Sequence, residues 1–181
     1  MSSDSGPVYF WRDNEKPYGC FSQWYASTFA APAPASAGDI SASLTFRTAE
    51  QYMMYHKAIL FNDQKIADRI ILESDPRKQK ALGRQVRGFD EKMWNKHREK
   101  VVEEGNWWKF TQSRKGDLKK LLLETVDREL IEASPYDRIW GIGFSAANAG
   151  VNTDHWGENL LGKALMRVRD RLQAEEAGIA S

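Results

Sequence analysis

The feature that most constrains this chain is a series of helix-start signals between residues 48 and 117. Thr48 stands three residues before Gln51, which together form the two halves of a capping box. Asp75-Pro76 joins a capping side chain to a proline at the first helical position, where the missing N–H is not needed. Asp90 and Asp117 stand in the same place before segments with apolar residues at helical spacing. Such a chain is committed to packing helices on helices. The helices expected are Thr48 to about Leu60, Asp63–Glu73, one opened by Asp75-Pro76, one from Asp90 that breaks at Gly105-Asn106 and resumes as a short helix over Trp107–Gln112, one capped by Asp117, and a last one carrying Leu160, Leu161, Ala164, Leu165, Val168 and Leu172. Short strands are expected at Val8–Trp11, Leu44–Phe46, Glu129–Ala133 and Arg138–Ile142. Gly19–Tyr25 reads as a turn-rich aromatic segment, Ala31–Gly38 as a Pro/Ala linker and Gly141–Gly157 as a long loop. The expected class is mainly α with a few short β-strands. One compact domain is expected over residues 8–174, with a disordered segment at 1–7 and a tail at 175–181.

Composition narrows the partners. With 181 residues the chain is long enough to bury roughly 70% of its unfolded surface without metals or disulfides. Its 26 Lys and Arg against 25 Asp and Glu leave a net charge of +1, which argues against a protein that coats a polyphosphate. A local basic pocket for one phosphate is compatible with that balance. Cys20 is the single cysteine, so no internal disulfide and no multi-cysteine metal site is expected. His56, His97 and His155 lack metal-ligand spacing, and neither a metal nor a cofactor is expected. Met1 to Pro7 is polar, and no run approaches eighteen apolar residues. The location expected is the cytoplasm or nucleus, with no membrane partner and no obligatory protein partner. The aromatic content is unusual: seven Trp, six Tyr and eight Phe, several beside Gly, Asn and Asp rather than in apolar runs.

Three segments carry candidate chemistry. In Thr48-Ala49-Glu50-Gln51-Tyr52, Glu50 falls in a first helical turn, where the free amides and the dipole favour an ionised carboxylate. Such a group suits stabilisation of a cationic transition state, and equally suits a Glu that only complements the dipole. Lys57 lies seven positions on, near the same helix face. In Asp137-Arg138-Ile139-Trp140-Gly141-Ile142-Gly143, the Gly-x-Gly allows close backbone approach to a ligand, or a plain turn beside a core Trp. In Trp156-Gly157-Glu158-Asn159-Leu160-Leu161-Gly162, a polar loop enters the last helix, which reads as an anion site or as a cap. Gly83-Arg84 and Trp94 read as a phosphate contact and a stacking platform, or as a solvated face and core. Serine and cysteine nucleophile motifs are absent.

Taken in order, these blocks together with Phe10-Trp11, Gly19, Phe21-Ser22 and Lys109-Phe110 resemble the NADAR (YbiA-like) family over roughly Val8 to Leu172. The resemblance implies a mainly helical fold of the family's own and hydrolysis of an N-glycosidic bond. The substrate implied is a phosphorylated ribosylamino-pyrimidine of riboflavin synthesis or ADP-ribosylated guanine, as a small nucleotide-like molecule or within nucleic acid. Glu50, Trp94, Asp137 and Trp140 match the family's active-site positions, and Lys57 and Asn159 match further pocket positions. Ser22, Gln23, Tyr52, Arg84, Gly141, Gly143 and Trp156 complete the substrate-binding set. Where the family has Ser-Asn-Phe this chain has Ser22-Gln23-Trp24, and the Pro/Ala segment is longer than in compact bacterial members.

Cleaving a ribose C1–N bond places positive charge on the sugar and requires a proton on the leaving nitrogen. Two carboxylates in different environments suit this. Glu50 is expected to be the ionised partner and Asp137 the proton donor, in a drier pocket beside Trp140. Trp94 and Trp140 would stack the base. Arg84 or the helix start near Asn159 would hold a 5′-phosphate. Lys57 offers a second route, attack on C1 of the opened sugar as a Schiff base. The competing readings are a non-catalytic module that binds ADP-ribose or a related nucleotide, and a structural domain whose aromatics are all core.

Overall fold

The computed structural model describes residues 6–34, 42–113 and 118–178. They fall into two units, one combining the described residues 6–25 and 118–178, the other residues 26–113.

The second unit is built on α1 (Ala49–Leu60), which packs against α2 (Gln64–Leu72), α3 (Pro76–Gly83) and α4 (Glu91–Gln112). Each helix starts where its cap predicts. The side chains of Thr48, Asp63, Asp75 and Asp90 accept from the amides of Gln51, Ile66, Arg77 and Met93. The capping box is half formed, because Gln51 Oε1 accepts from the amide of Arg47 (2.7 Å) rather than from that of Thr48. A hairpin of β2 (Phe29–Pro32) and β3 (Ser43–Phe46), antiparallel with Phe29 opposite Phe46, completes the unit. Ala31-Pro32, expected in a linker, is therefore the end of a strand. Residues 35–38 of that linker lie outside the described residues.

The expected break at Gly105-Asn106 does not occur, and α4 runs unbroken through both. Asn106 keeps its side chain inside the helix, donating Nδ2 to the carbonyl of Val102 (2.9 Å). Gly105 is needed for packing rather than for a turn. A β-carbon there would stand 2.7 Å from Cδ1 of the Tyr52 ring, so its absence lets α1 and α4 approach.

The first unit pairs β1 (Val8–Phe10) with β4 (Leu130–Glu132) in parallel, Val8 opposite Leu130, and lays α7 (Leu160–Glu176) against β4. The buried face of α7 carries the apolar residues expected of it, Leu160 to Leu172. Each fully buried leucine contributes roughly 1.5–3 kcal/mol. α5 (Leu118–Leu123) packs on α7, while its expected cap Asp117 lies outside the described residues. Three more expectations are corrected here. Gly6 and Pro7 are not a disordered lead, because the Arg128 guanidinium donates to both their carbonyls. α7 extends through Glu175 and Glu176, which were expected in a tail. The 141–157 loop contains α6 (Ala146–Ala149) and a 3-10 turn, Gly150–His155. Residues 1–5 and 179–181 lie outside the described residues. No described helix is long and apolar enough to cross a membrane.

The expected strand at Arg138–Ile142 is a turn. One oxygen of Asp137, Oδ1, accepts from the amides of Ile139 (2.9 Å) and Trp140 (2.8 Å), which bends the chain instead of extending it. The carbonyls freed by that bend accept from the loop-to-helix entry of α7. Gly157 N donates to Ile142 O, Glu158 N to Arg138 O, Asn159 N to Gly141 O, Leu160 N to Ile139 O and Leu161 N to Trp140 O, all at 2.8–3.3 Å. The two motif blocks are thus wound onto each other. Gly157 permits the closest approach, since a β-carbon there would run into the backbone of Arg138.

Candidate active site

The candidate site of the second unit begins with the entry to α1. Thr48 is buried, and its hydroxyl both accepts from Gln51 N (3.0 Å) and donates to Gln79 Oε1 (2.8 Å). Gln51 Nε2 donates to the carbonyls at the end of α2, Ile70 (2.9 Å) and Ile71 (3.0 Å), and to that of Glu73 (2.9 Å). These buried amides lock the first turn of α1 against α2 and α3. They thereby fix Glu50, which is 3% exposed. A dipole-complementing surface Glu would not be buried, so the simpler alternative for this residue loses its support.

Lys57 lies two turns along the same helix. Its Nζ donates to the carbonyl of Gly83 (2.9 Å), lies 4.3 Å from the centroid of the Phe89 ring and 5.9 Å from that of Trp94. Burial holds its pKa below the ordinary lysine range, and the neighbouring Arg84 charge lowers it further, while Glu50 acts in the opposite sense. A lysine so placed has a larger neutral, nucleophilic fraction than one in water. Glu50, Lys57, Arg84 and Trp94 are therefore brought together by the helices of one unit. Arg84 is exposed at the end of α3, and Trp94 is 9% exposed.

Tyr52 is not on a binding surface. It is 3% exposed, set among Phe29, Phe46 and His56, and bonded to Glu104, whose charge adds to burial in raising the Tyr52 pKa. His56 packs on it with tilted rings, 4.1 Å between centroids, with Nε2 buried and without a hydrogen-bond partner. Burial lowers the His56 pKa to about 4. The folded chain therefore keeps His56 neutral while the unfolded chain protonates it below about pH 6.5. Its contribution to stability is complete above that pH and is lost as pH falls towards 4, by at most about 3 kcal/mol. Urea midpoints at pH 7 and 4.5 test this. His56→Phe should flatten the pH dependence relative to wild type, and parallel profiles would refute it.

In the first unit, Asp137 and Trp140 are half-buried, and Gly141 is buried in the interlock described above. Gly143 follows with a positive φ of 77° beside the Arg138 side chain. Trp156 packs on Ile131, Ile142 and Ala149 and donates Nε1 to the carbonyl of Ala149 (3.0 Å), which makes it part of a small apolar cluster. Ser22 is buried, with Oγ accepting from Trp24 N (3.3 Å), and Gln23 is buried next to it.

The phosphate site expected at the start of α7 is not available. The amides of Asn159, Leu160 and Leu161 are already given to carbonyls 139–141, and the Asn159 side chain is spent on β4. Its Oδ1 accepts from Glu132 N (3.0 Å), and its Nδ2 donates to Leu130 O (2.9 Å).

Two residues were not among the site candidates. Phe89 sits at N′, just before the Asp90 cap, and Trp94 at N4, the two positions of a hydrophobic staple, which was the available signal. Lys109 on α4 is fully buried, with Nζ 5.3 Å from the Phe110 ring centroid. A lysine flanked by Trp107, Trp108 and Phe110 was the clue there. Among the described residues, no cluster of three or more His, Cys, Asp or Glu is arranged to hold a metal.

A mainly helical chain with two small two-stranded sheets has the fold of YbiA. The NMR structure of that Escherichia coli protein superposes with a TM-score of 0.73 at 26% identity, over 96% of this chain and 88% of that one. The chain belongs to the NADAR domain family, which matches residues 9–173. It is 43% identical to the N-glycosidase R617 of Acanthamoeba polyphaga mimivirus, over 92% of this chain and 96% of the relative. It is 30% identical to the N-glycosidase Npun_R5314 of Nostoc punctiforme, over 92% of both chains.

Proposed function

We propose that this chain is an N-glycosidase that cleaves a ribose C1–N bond through Lys57. The substrate carries an amine-linked base, as in a phosphorylated ribosylamino-pyrimidine or in ADP-ribosylated guanine. Its membership of a family with N-glycosidase relatives supports the reaction class. The observation that carries the mechanism is Lys57, half-buried and less basic than usual, with the buried Glu50 on the same helix.

An amine-linked sugar opens to an imine at C1. Neutral Nζ of Lys57 adds to C1, the C1–N bond to the base breaks, and the leaving nitrogen takes a proton. The iminium left on Nζ takes up water and releases the sugar aldehyde and the free amine. Glu50 stabilises the positive charge that passes through C1 and Nζ. Trp94 shields that charge from water. Arg84, exposed beside Lys57, is the phosphate contact.

Incubation with each candidate substrate in the presence of cyanoborohydride tests this. Released base, with a reduced sugar adduct on the Lys57 peptide, is the expected result. Lys57→Ala should lose adduct and turnover together. Turnover in Lys57→Ala at the wild-type rate would overturn the covalent route, and substrate binding without base release would leave a nucleotide-binding module.

A further inference from the structure

Phe89 is 46% exposed, although it fills a staple position that normally buries its side chain. Its ring meets Phe61 edge-on (5.3 Å between centroids, 62° between planes), and its face is turned to Lys57 Nζ at 4.3 Å. Trp94, the other staple position, offers its ring to the same nitrogen at 5.9 Å. Both distances are within cation–π range. The staple thus brackets the one amine on α1 that the reaction uses.

We propose that Phe89 is a positioning residue whose ring face stabilises positive charge on the Lys57 nitrogen, first as ammonium and then as protonated Schiff base. The inference rests on the reading of Lys57 as nucleophile. The charged groups acting on Lys57 are Glu50 from its own helix and Arg84 from the end of α3, and they oppose each other. Phe89 tips this balance towards the cation without adding a titratable group. It favours the iminium over the neutral aminal that precedes it, and so acts on the step where C1 loses the base.

Phe89→Leu keeps apolar bulk and removes the π face, and Phe89→Trp restores one. The pH dependence of acetic anhydride labelling at Lys57, read on its peptide by mass spectrometry, reports the amine without reference to turnover. With Phe89→Leu the labelling midpoint should fall by roughly half to one pH unit, and adduct capture with ribose 5-phosphate should slow about three- to tenfold. Phe89→Trp should return both to wild type. If Phe89 merely covers the amine, the smaller leucine admits water and moves the midpoint up. That result, or an unchanged midpoint, overturns the proposal. Failure of wild type to form an adduct at Lys57, with the midpoint shift intact, would refute the covalent route and leave the role of Phe89 standing.

Discussion

Glu50→Gln is expected to fold, to bind product and to lose roughly a hundredfold or more in turnover. The substitution preserves shape and hydrogen-bonding capacity and removes only the negative charge. That charge sits on a residue 3% exposed, in the first turn of α1, where water screens it little. Preorganised charges facing a cationic transition state are typically worth about 3 kcal/mol. Because the sugar is cationic only in passing, the loss should fall on kcat rather than on binding. A second effect follows from Lys57, whose basicity Glu50 supports. Without Glu50 the amine becomes less basic, and the Lys57 limb of the pH–rate profile should move to lower pH. A dipole effect alone would cost only about 0.3–1 kcal/mol of stability and leave turnover untouched. Steady-state kinetics across pH, with calorimetric product binding, separate the two. Wild-type turnover in a folded Glu50→Gln protein would remove Glu50 from the mechanism.

The helical unit was legible because its signals are local. Thr48, Asp63, Asp75 and Asp90 each bind an amide two or three residues away, and no distant residue decides the matter. Gly105 misled for the opposite reason. Its role is set by the ring of Tyr52, far off in sequence, and a glycine that makes room looks the same in sequence as one that ends a helix. Arg138–Ile142 misled likewise. Its residues suit a strand, but the Asp137 carboxylate and five amides from the 157–161 segment hold it as a turn. Read residue by residue, Glu50, Lys57, Arg84 and Trp94 were separate candidates that only the family resemblance grouped, because what joins them is the packing of α1, α3 and α4. Phe89 was missed because its staple position explains an apolar residue without any need of a site. Its exposure and its distance to Lys57 are visible only in three dimensions.

The second large effect concerns Asn159, read from sequence as a pocket residue and found with its amide committed to β4. Asn159 adopts a left-handed conformation (φ 51°), which Asn tolerates better than most residues. The conformation aims the side chain back at β4, where it completes one half-buried donor, Glu132 N, and one buried acceptor, Leu130 O. Asn159→Ala removes both bonds, at about 1–3 kcal/mol each, and puts alanine, which tolerates the left-handed region less well than Asn, at that position for roughly 1 kcal/mol more. The expected loss is about 3–7 kcal/mol, read as a lower urea midpoint with an unchanged slope. Asn159→Gly removes the same two bonds without the conformational penalty, so it should recover about 1 kcal/mol of that loss. Asn159→Asp keeps the acceptor for Glu132 N but turns a carboxylate oxygen towards the carbonyl of Leu130, and it too should destabilise. At temperatures where the alanine variant stays folded, its KM should remain near wild type, because the side chain holds β4 rather than substrate. A wild-type midpoint combined with a KM raised tenfold or more would reverse that assignment and return Asn159 to the binding site.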